Sequence, residues 1–82
     1  MDHKTRIRQF VLSNFYVADA AALGDEQSLL DSGIIDSTGV LELIGFLETE
    51  FAIQVHDVEM LPENLDSISR INDYVVRKQA AG

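Results

Sequence analysis

The sequence lacks several features on which protein chemistry often depends. It contains no cysteine, which excludes disulfides, thiolate zinc sites and cysteine nucleophiles. Its apolar runs are only a few residues long, so we expect no segment that spans a membrane. It begins with a charged amphipathic stretch and not with an apolar signal core, and we therefore expect a cytoplasmic protein.

Basic residues are scarce and unevenly placed. The chain carries 14 Asp and Glu against 6 Lys and Arg, which gives a formal net charge of −8. Between Gln9 and Ser69 there is no Lys or Arg, whereas 12 Asp and Glu lie there. Such a surface repels nucleic-acid phosphates and anionic lipids and attracts basic proteins. Taken alone, such acidity most often serves only solubility. It excludes nucleic-acid binding, apart from mimicry of DNA.

The composition predicts one small globular domain that covers residues 1–82. Hydrophobic residues make up 46% of the chain and charged residues 24%, the balance of an ordinary folded protein. Two separate cores would each be too small to support themselves at this length. A single core should bury roughly 60–65% of the surface of the unfolded chain.

Apolar residues recur at helical spacing in the first two-thirds of the chain. One such stretch, from about Asp2 to Val17, predicts a first helix. A second stretch follows Asp36, whose carboxylate is suited to cap a helix, and ends near Phe51. Between them lies a connection of unusual length, and long connections in compact domains are more often functional than idle.

The last third of the sequence predicts one short and one long helix. The segment Asp57 to Leu61 is expected to form a turn or two of helix that Pro62 stops. Either Asp66 or Ser67 is suited to cap the last helix. No β alternation persists, so the expected fold is all-α: a small four-helix bundle with three longer helices, one short helix and a long loop between helices 1 and 2.

The usual catalytic and metal-binding patterns are missing. The two histidines, His3 and His56, lie far apart in the sequence without a cluster of ligands. The five glycines form neither a P-loop nor a dinucleotide-binding fingerprint. We therefore expect no metal, no catalytic residues and no enzymatic activity.

One serine stands out by its context. Asp-Ser occurs three times, but only Asp36-Ser37 ends the long loop and opens the most apolar helix. On a helical wheel Ser37 falls about 60° from the centre of the apolar stripe, which places its hydroxyl in solvent near the core. Taken alone, a serine at this position most often serves only as a helix cap.

The run from Gly33 to Leu43 resembles the phosphopantetheine-attachment segment of acyl carrier proteins, whose centre is Gly-x-x-Asp-Ser. The resemblance extends over nearly the whole chain, including 51–53 and 71–75. It implies that a phosphopantetheinyl transferase attaches 4′-phosphopantetheine to Ser37 and that the thiol of this arm carries acyl groups as thioesters. It also implies that Asp36 is part of the surface that the transferase recognises.

Three positions differ from the fatty-acid-synthesis carriers, which usually have Leu after the serine, often an acid next, and a bulky apolar residue further along. Here these positions hold Thr38, Gly39 and Gly45. The chain thus looks closer to free-standing carriers loaded by an acyl- or aminoacyl-adenylating ligase. The implied partners are this ligase and downstream acyl-transferring enzymes, and a monomer is expected.

The second helix offers a candidate docking face for these partners. It combines acidic side chains with an exposed leucine, an arrangement that favours fast, salt-sensitive association. The residues that we assign to it are Thr38, Leu41, Glu42, Gly45 and Glu48. An attached acyl chain is expected to lodge between this helix and 57–61, in a groove kept shallow because Gly45 lacks a side chain.

Two alternatives compete with the carrier hypothesis. The first is an acidic helical adaptor that only binds proteins, with Ser37 as a cap. The second is an acidic mimic of nucleic acid, whose acidic residues should spread over one elongated face without an apolar shoulder. Intact mass distinguishes the carrier from both alternatives, because only a carrier gains one phosphopantetheine.

Overall fold

The computed structural model of the protein describes residues 3–81, and these residues form a bundle of four α-helices. No strand occurs among them, which confirms the predicted all-α fold. The helices are α1 (His3–Asn14), α2 (Ser37–Phe51), α3 (Pro62–Leu65) and α4 (Ile68–Ala81). Single 3₁₀ turns lie at Ala20–Ala22, within the long loop, and at Asp57–Glu59.

The core forms where α4 packs against the other three helices. The predicted apolar stripe of α2 faces inward, with Leu43 and Leu47 fully buried. The long loop also contributes, because Leu23, Leu29 and Ile35 belong to the same buried cluster. None of the helices within residues 3–81 combines the length and apolar character needed to cross a bilayer.

The first helix ends earlier than predicted. It stops at Asn14, whereas the pattern of apolar residues indicated Val17; the predicted start at Asp2 lies outside the described residues. The Asn14 side chain donates to the carbonyl of Phe10 at 2.9 Å, which satisfies an acceptor of the last turn. Phe15 then leaves the helix and packs edge-on against Phe10, so its apolar character reflects tertiary packing.

The prediction that Pro62 stops a short helix was wrong. Asp57–Glu59 is a single 3₁₀ turn, and Pro62 occupies the first turn of α3. Proline lacks a backbone N–H, and the first turn of a helix has no partner for that N–H in any case. Pro62 therefore begins the short helix.

The structure decides which residue caps α4. The Ser67 hydroxyl accepts a hydrogen bond from the Arg70 N–H at 3.1 Å, which is the geometry of an N-cap. The carboxylate of Asp66 turns away and binds the long loop instead, as described below.

Both described ends of the chain meet at the C-terminal end of α2. The His3 ring packs edge-on against Phe51, with 4.8 Å between ring centroids. His3 Nε2 also lies 2.9 Å from Gln79 Oε1, and the Gln79 amide donates to the Phe51 carbonyl at 3.4 Å. Since Ser37 begins α2, the two chain ends lie at the far end of that helix from the serine.

Candidate functional site

Ser37 is the first residue of α2 and is exposed. The preceding Asp36 has an extended backbone, and its Oδ1 accepts from the Gly39 N–H at 2.7 Å. Asp36 is therefore the N-cap, as predicted, and the cap hydrogen bond does not involve the Ser37 hydroxyl. This arrangement fixes the backbone of Ser37 and leaves its hydroxyl at the surface.

A close contact locks the start of α2 against the end of α1. Gly39 is buried, and a Cβ at this position would lie 2.8 Å from Phe15 Cε1 and 3.2 Å from Ile35 Cγ2. A side chain of any size would push these groups apart. Phe15 and Ile35 thus disfavour any side chain at position 39.

The long loop is held beside Ser37 by Asp66, a role that the sequence did not indicate. Asp66 Oδ2 accepts from the Ser28 hydroxyl at 2.7 Å, and Oδ1 accepts from the Leu30 N–H at 2.9 Å. The Asp66 carbonyl also accepts from the Leu29 N–H at 2.7 Å. These three bonds place Leu29 and Leu30 against the start of α2.

A cavity of about 350 Å³ opens beside Ser37, between the long loop, α2 and the segment that leads into α3. Ser37 is the one polar residue in its lining. The other lining residues are Leu29, Leu30, Ile35, Val40, Met60, Leu61, Pro62 and Leu65. An apolar group attached to the serine can therefore fold back onto apolar side chains without meeting a buried charge.

The reason given for a shallow groove was wrong, although the cavity lies in the predicted place. Gly45 is not part of its lining, and a Cβ at Gly45 would meet no atom within 4 Å. Met60 and Leu61 border the cavity across from α2 instead. A larger depression of about 660 Å³ lies near Lys78, by the last turn of α4, and Ser37 is not part of it.

The predicted docking residues do not share one environment. Leu41 is 63% exposed and is the exposed large apolar side chain of α2. Three other predicted docking residues are exposed as well: Thr38, Glu42 and Gly45. Glu48 is half-buried, and its Oε2 accepts from the Val55 N–H at 3.0 Å. Glu48 therefore stabilises the chain after α2 in addition to contributing charge.

A cluster around Glu59 also escaped sequence reasoning. Its Oε1 accepts from Lys78 Nζ at 2.9 Å, from the Tyr74 hydroxyl at 3.2 Å and from the His56 N–H at 3.2 Å. The hydrogen bond from Lys78 lowers the pKa of the Glu59 carboxyl. Burial and the neighbouring charge of Glu59 raise the pKa of Tyr74 to about 12. Two of these partners, Tyr74 and Lys78, are 15 and 19 residues away from Glu59, so no local pattern predicts their contact with it.

The described residues offer no metal centre. Within 3–81, no three His, Asp or Glu side chains come close enough together to hold an ion. His56 is exposed at the start of the 3₁₀ turn, and the His3 ring packs against Phe51. No family model matches the chain.

Proposed function

We propose that the protein is a carrier that holds acyl groups as thioesters on a 4′-phosphopantetheine arm attached to Ser37. The observation that carries this proposal is the position of Ser37: exposed, fixed by the Asp36 cap and part of the rim of an apolar cavity. The resemblance of Gly33–Leu43 to the attachment segment of acyl carrier proteins supplies the chemistry.

Attachment requires only a nucleophile from this chain. The Ser37 oxygen forms a bond to the pantetheine-bearing phosphorus of coenzyme A while the pyrophosphate P–O bond breaks and the adenosine bisphosphate leaves. The transferase supplies the base that accepts the hydroxyl proton. The resulting phosphodiester is an anion at the first turn of a 15-residue helix, where the helix dipole favours negative charge.

The cavity suggests the class of cargo. Because its lining is apolar apart from Ser37, alkyl chains gain more from entering it than charged aminoacyl groups do. An aliphatic acyl group supplied by an adenylating ligase fits best, and downstream acyl-transferring enzymes would collect it. Such partners need only brief docking, which the acidic surface and the exposed Leu41 favour.

Intact-mass spectrometry tests the proposal directly. Incubation with coenzyme A and a broad-specificity phosphopantetheinyl transferase should add one phosphopantetheine to the wild type and none to Ser37→Ala. Ser32→Ala is the matched control, because Ser32 is also exposed and also follows an aspartate. Addition to Ser37→Ala, or loss of addition in Ser32→Ala, would contradict the assignment.

A further inference from the structure

One wall of the cavity beside Ser37 lacks the support of buried side chains. From Ala52 to Asn64, thirteen consecutive residues, no residue is buried. Met60 is half-buried and Leu61 is exposed, although both line the cavity. The opposite wall differs, because Leu29 and Ile35 belong to the core. Hydrophobic burial alone therefore does not fix the position of the 57–61 wall.

Polar side chains on one face of α4 hold this wall. These side chains belong to Arg70, Tyr74, Arg77 and Lys78. Successive members are four, three and one residues apart, which places all four on the same side of the helix. Arg70 Nη1 donates to the carbonyl of Pro62 at 3.4 Å, and Arg77 Nη2 donates to Asn64 Oδ1 at 3.0 Å. The other two members of this face, Tyr74 and Lys78, both donate to Glu59.

Glu59 has the largest share of these contacts. Its carboxylate accepts from α4, while its backbone carbonyl accepts from Asn64 Nδ2 at 2.9 Å and from the Leu61 N–H at 2.8 Å. It directly precedes Met60, so any displacement of Glu59 moves Met60 with it. The other hydrogen bonds from α4 to this wall have one charged partner, whereas both partners are charged in the pair of Glu59 with Lys78, which makes that pair the main attachment.

We propose that Glu59 is a positioning residue: its bonds to Tyr74 and Lys78 hold Met60 and Leu61 in place as a wall of the cavity, and their release opens the cavity to solvent. This role belongs to the folded chain itself and does not depend on modification of Ser37. Loss of Glu59 should loosen 57–65 and leave the rest of the bundle intact.

Amide hydrogen exchange on the unmodified protein tests the local effect. In Glu59→Ala, exchange of the amides of 58–65 should rise on the order of tenfold, while the amides of α1 and α2 keep their protection. Glu50→Ala is the matched control. Glu50 forms its ion pair with Arg6 of α1 at 2.6 Å and not with α4, and its side chain is 34% exposed against 27% for Glu59.

A single fluorophore tests the effect on the cavity. The chain has no cysteine, so Ser37→Cys creates one labelling site for an apolar, environment-sensitive dye. In Ser37→Cys with Glu59 unchanged, the emission of the dye should be blue-shifted, because the dye is buried in the cavity. When Glu59→Ala is added, the emission should shift to the red. Since this variant carries no phosphopantetheine, the result is independent of whether Ser37 is modified.

A charge swap separates positioning from a general loss of stability. The double variant Glu59→Lys with Lys78→Glu should restore both the exchange protection and the blue-shifted emission that either single variant loses. The proposal is overturned if Glu59→Ala exchanges at the wild-type rate, if exchange rises equally in all helices, or if the dye emission does not respond.

Discussion

Asp36 and Ser37 are neighbours with separate roles. The Asp36 carboxylate satisfies the Gly39 N–H at the start of α2, whereas the Ser37 hydroxyl stays at the surface. The cap therefore fixes the backbone of Ser37 without forming a hydrogen bond to its hydroxyl. Changes at Asp36 should act first on the order of the helix start and through it on the reactivity of Ser37.

Replacing Asp36 by Ala should lower the free energy of unfolding by about 1 kcal/mol, because the cap is lost. It should also slow phosphopantetheinylation by more than the loss of folded protein explains. Asp36→Asn keeps a capping side chain and removes the charge, so urea denaturation and transferase kinetics of both variants separate the two effects. Wild-type kinetics in folded Asp36→Ala would leave Asp36 as a cap only.

Two glycines of α2 provide a matched pair of substitutions. Gly45 faces open space within the helix, so Gly45→Ala should stabilise the protein by about 0.5–1 kcal/mol through helix propensity. Gly39→Ala has the same propensity gain but brings a Cβ to within 2.8 Å of Phe15. It should therefore be less stable than Gly45→Ala by at least about 1 kcal/mol. Equal denaturation midpoints for the two variants would contradict this packing.

At the scale of elements, α2 carries two acidic residues that differ in their contacts. Glu42→Lys should mainly lower the association rate with a loading ligase, and added salt should have a similar effect on the wild type. Glu48→Lys should in addition lower stability by about 1–3 kcal/mol, because the Val55 N–H loses its acceptor. Stopped-flow association and urea denaturation measure the two effects. Loading that does not respond to salt would exclude electrostatic steering.

Because of the contact between Glu59 and α4, the free energy of unfolding should fall both in acid and in alkali. The pKa of Glu59 is lowered, so its stabilisation is complete above the usual value of 4.5 and is lost as pH falls through the lowered pKa. The pKa of Tyr74 is raised to about 12, so its contribution is complete below pH 10 and is lost as pH rises toward 12.

Denaturation of the wild type and of Tyr74→Phe across the pH range checks this expectation. The variant lacks the phenol, so it should show a weaker fall in stability above pH 10 than the wild type does. Identical alkaline profiles would show that Tyr74 does not titrate with folding.

Local patterns predicted some elements well, and tertiary contacts decided the others. The period of the apolar residues and the cap at Asp36 are properties of adjacent residues, and they predicted α2 correctly. The end of α1, however, coincides with the packing of Phe15 against Phe10, which the spacing of apolar residues does not show. Proline can end one helix or begin the next, so the sequence around Pro62 fits both, and the structure shows that Pro62 begins α3.

The same division holds for the candidate site. Ser37 and its position near the apolar stripe follow from the sequence of α2 alone. The walls of the cavity do not, since Asp66 reaches back 38 residues to Ser28 and Glu59 reaches forward 19 residues to Lys78. Such pairs have no periodicity, and a single sequence offers no means to match them.

At the scale of the whole molecule, the proposed function predicts that stability depends on cargo. Each methylene that enters the cavity contributes about 0.8 kcal/mol at best. A long acyl chain on the arm at Ser37 should therefore raise the melting temperature and protect the amides of 57–65, while a charged aminoacyl group should change neither. Differential scanning calorimetry and hydrogen exchange of matched loaded forms measure this. Equal protection by both cargoes would show that the cavity does not hold the chain.

The contact of His3 with Gln79 beside Phe51 has a practical consequence for immobilising the protein or fusing it to another protein. Ser37 and Phe51 lie at opposite ends of α2, whose 15 residues span about 22 Å at 1.5 Å per residue. A tether that continues from the described residues at either end of the chain thus starts at the end of α2 away from the serine. Anchored to a bead, a sensor chip or a neighbouring enzyme by either terminus, the protein would still turn the same face outward, and two different tethers would emerge side by side.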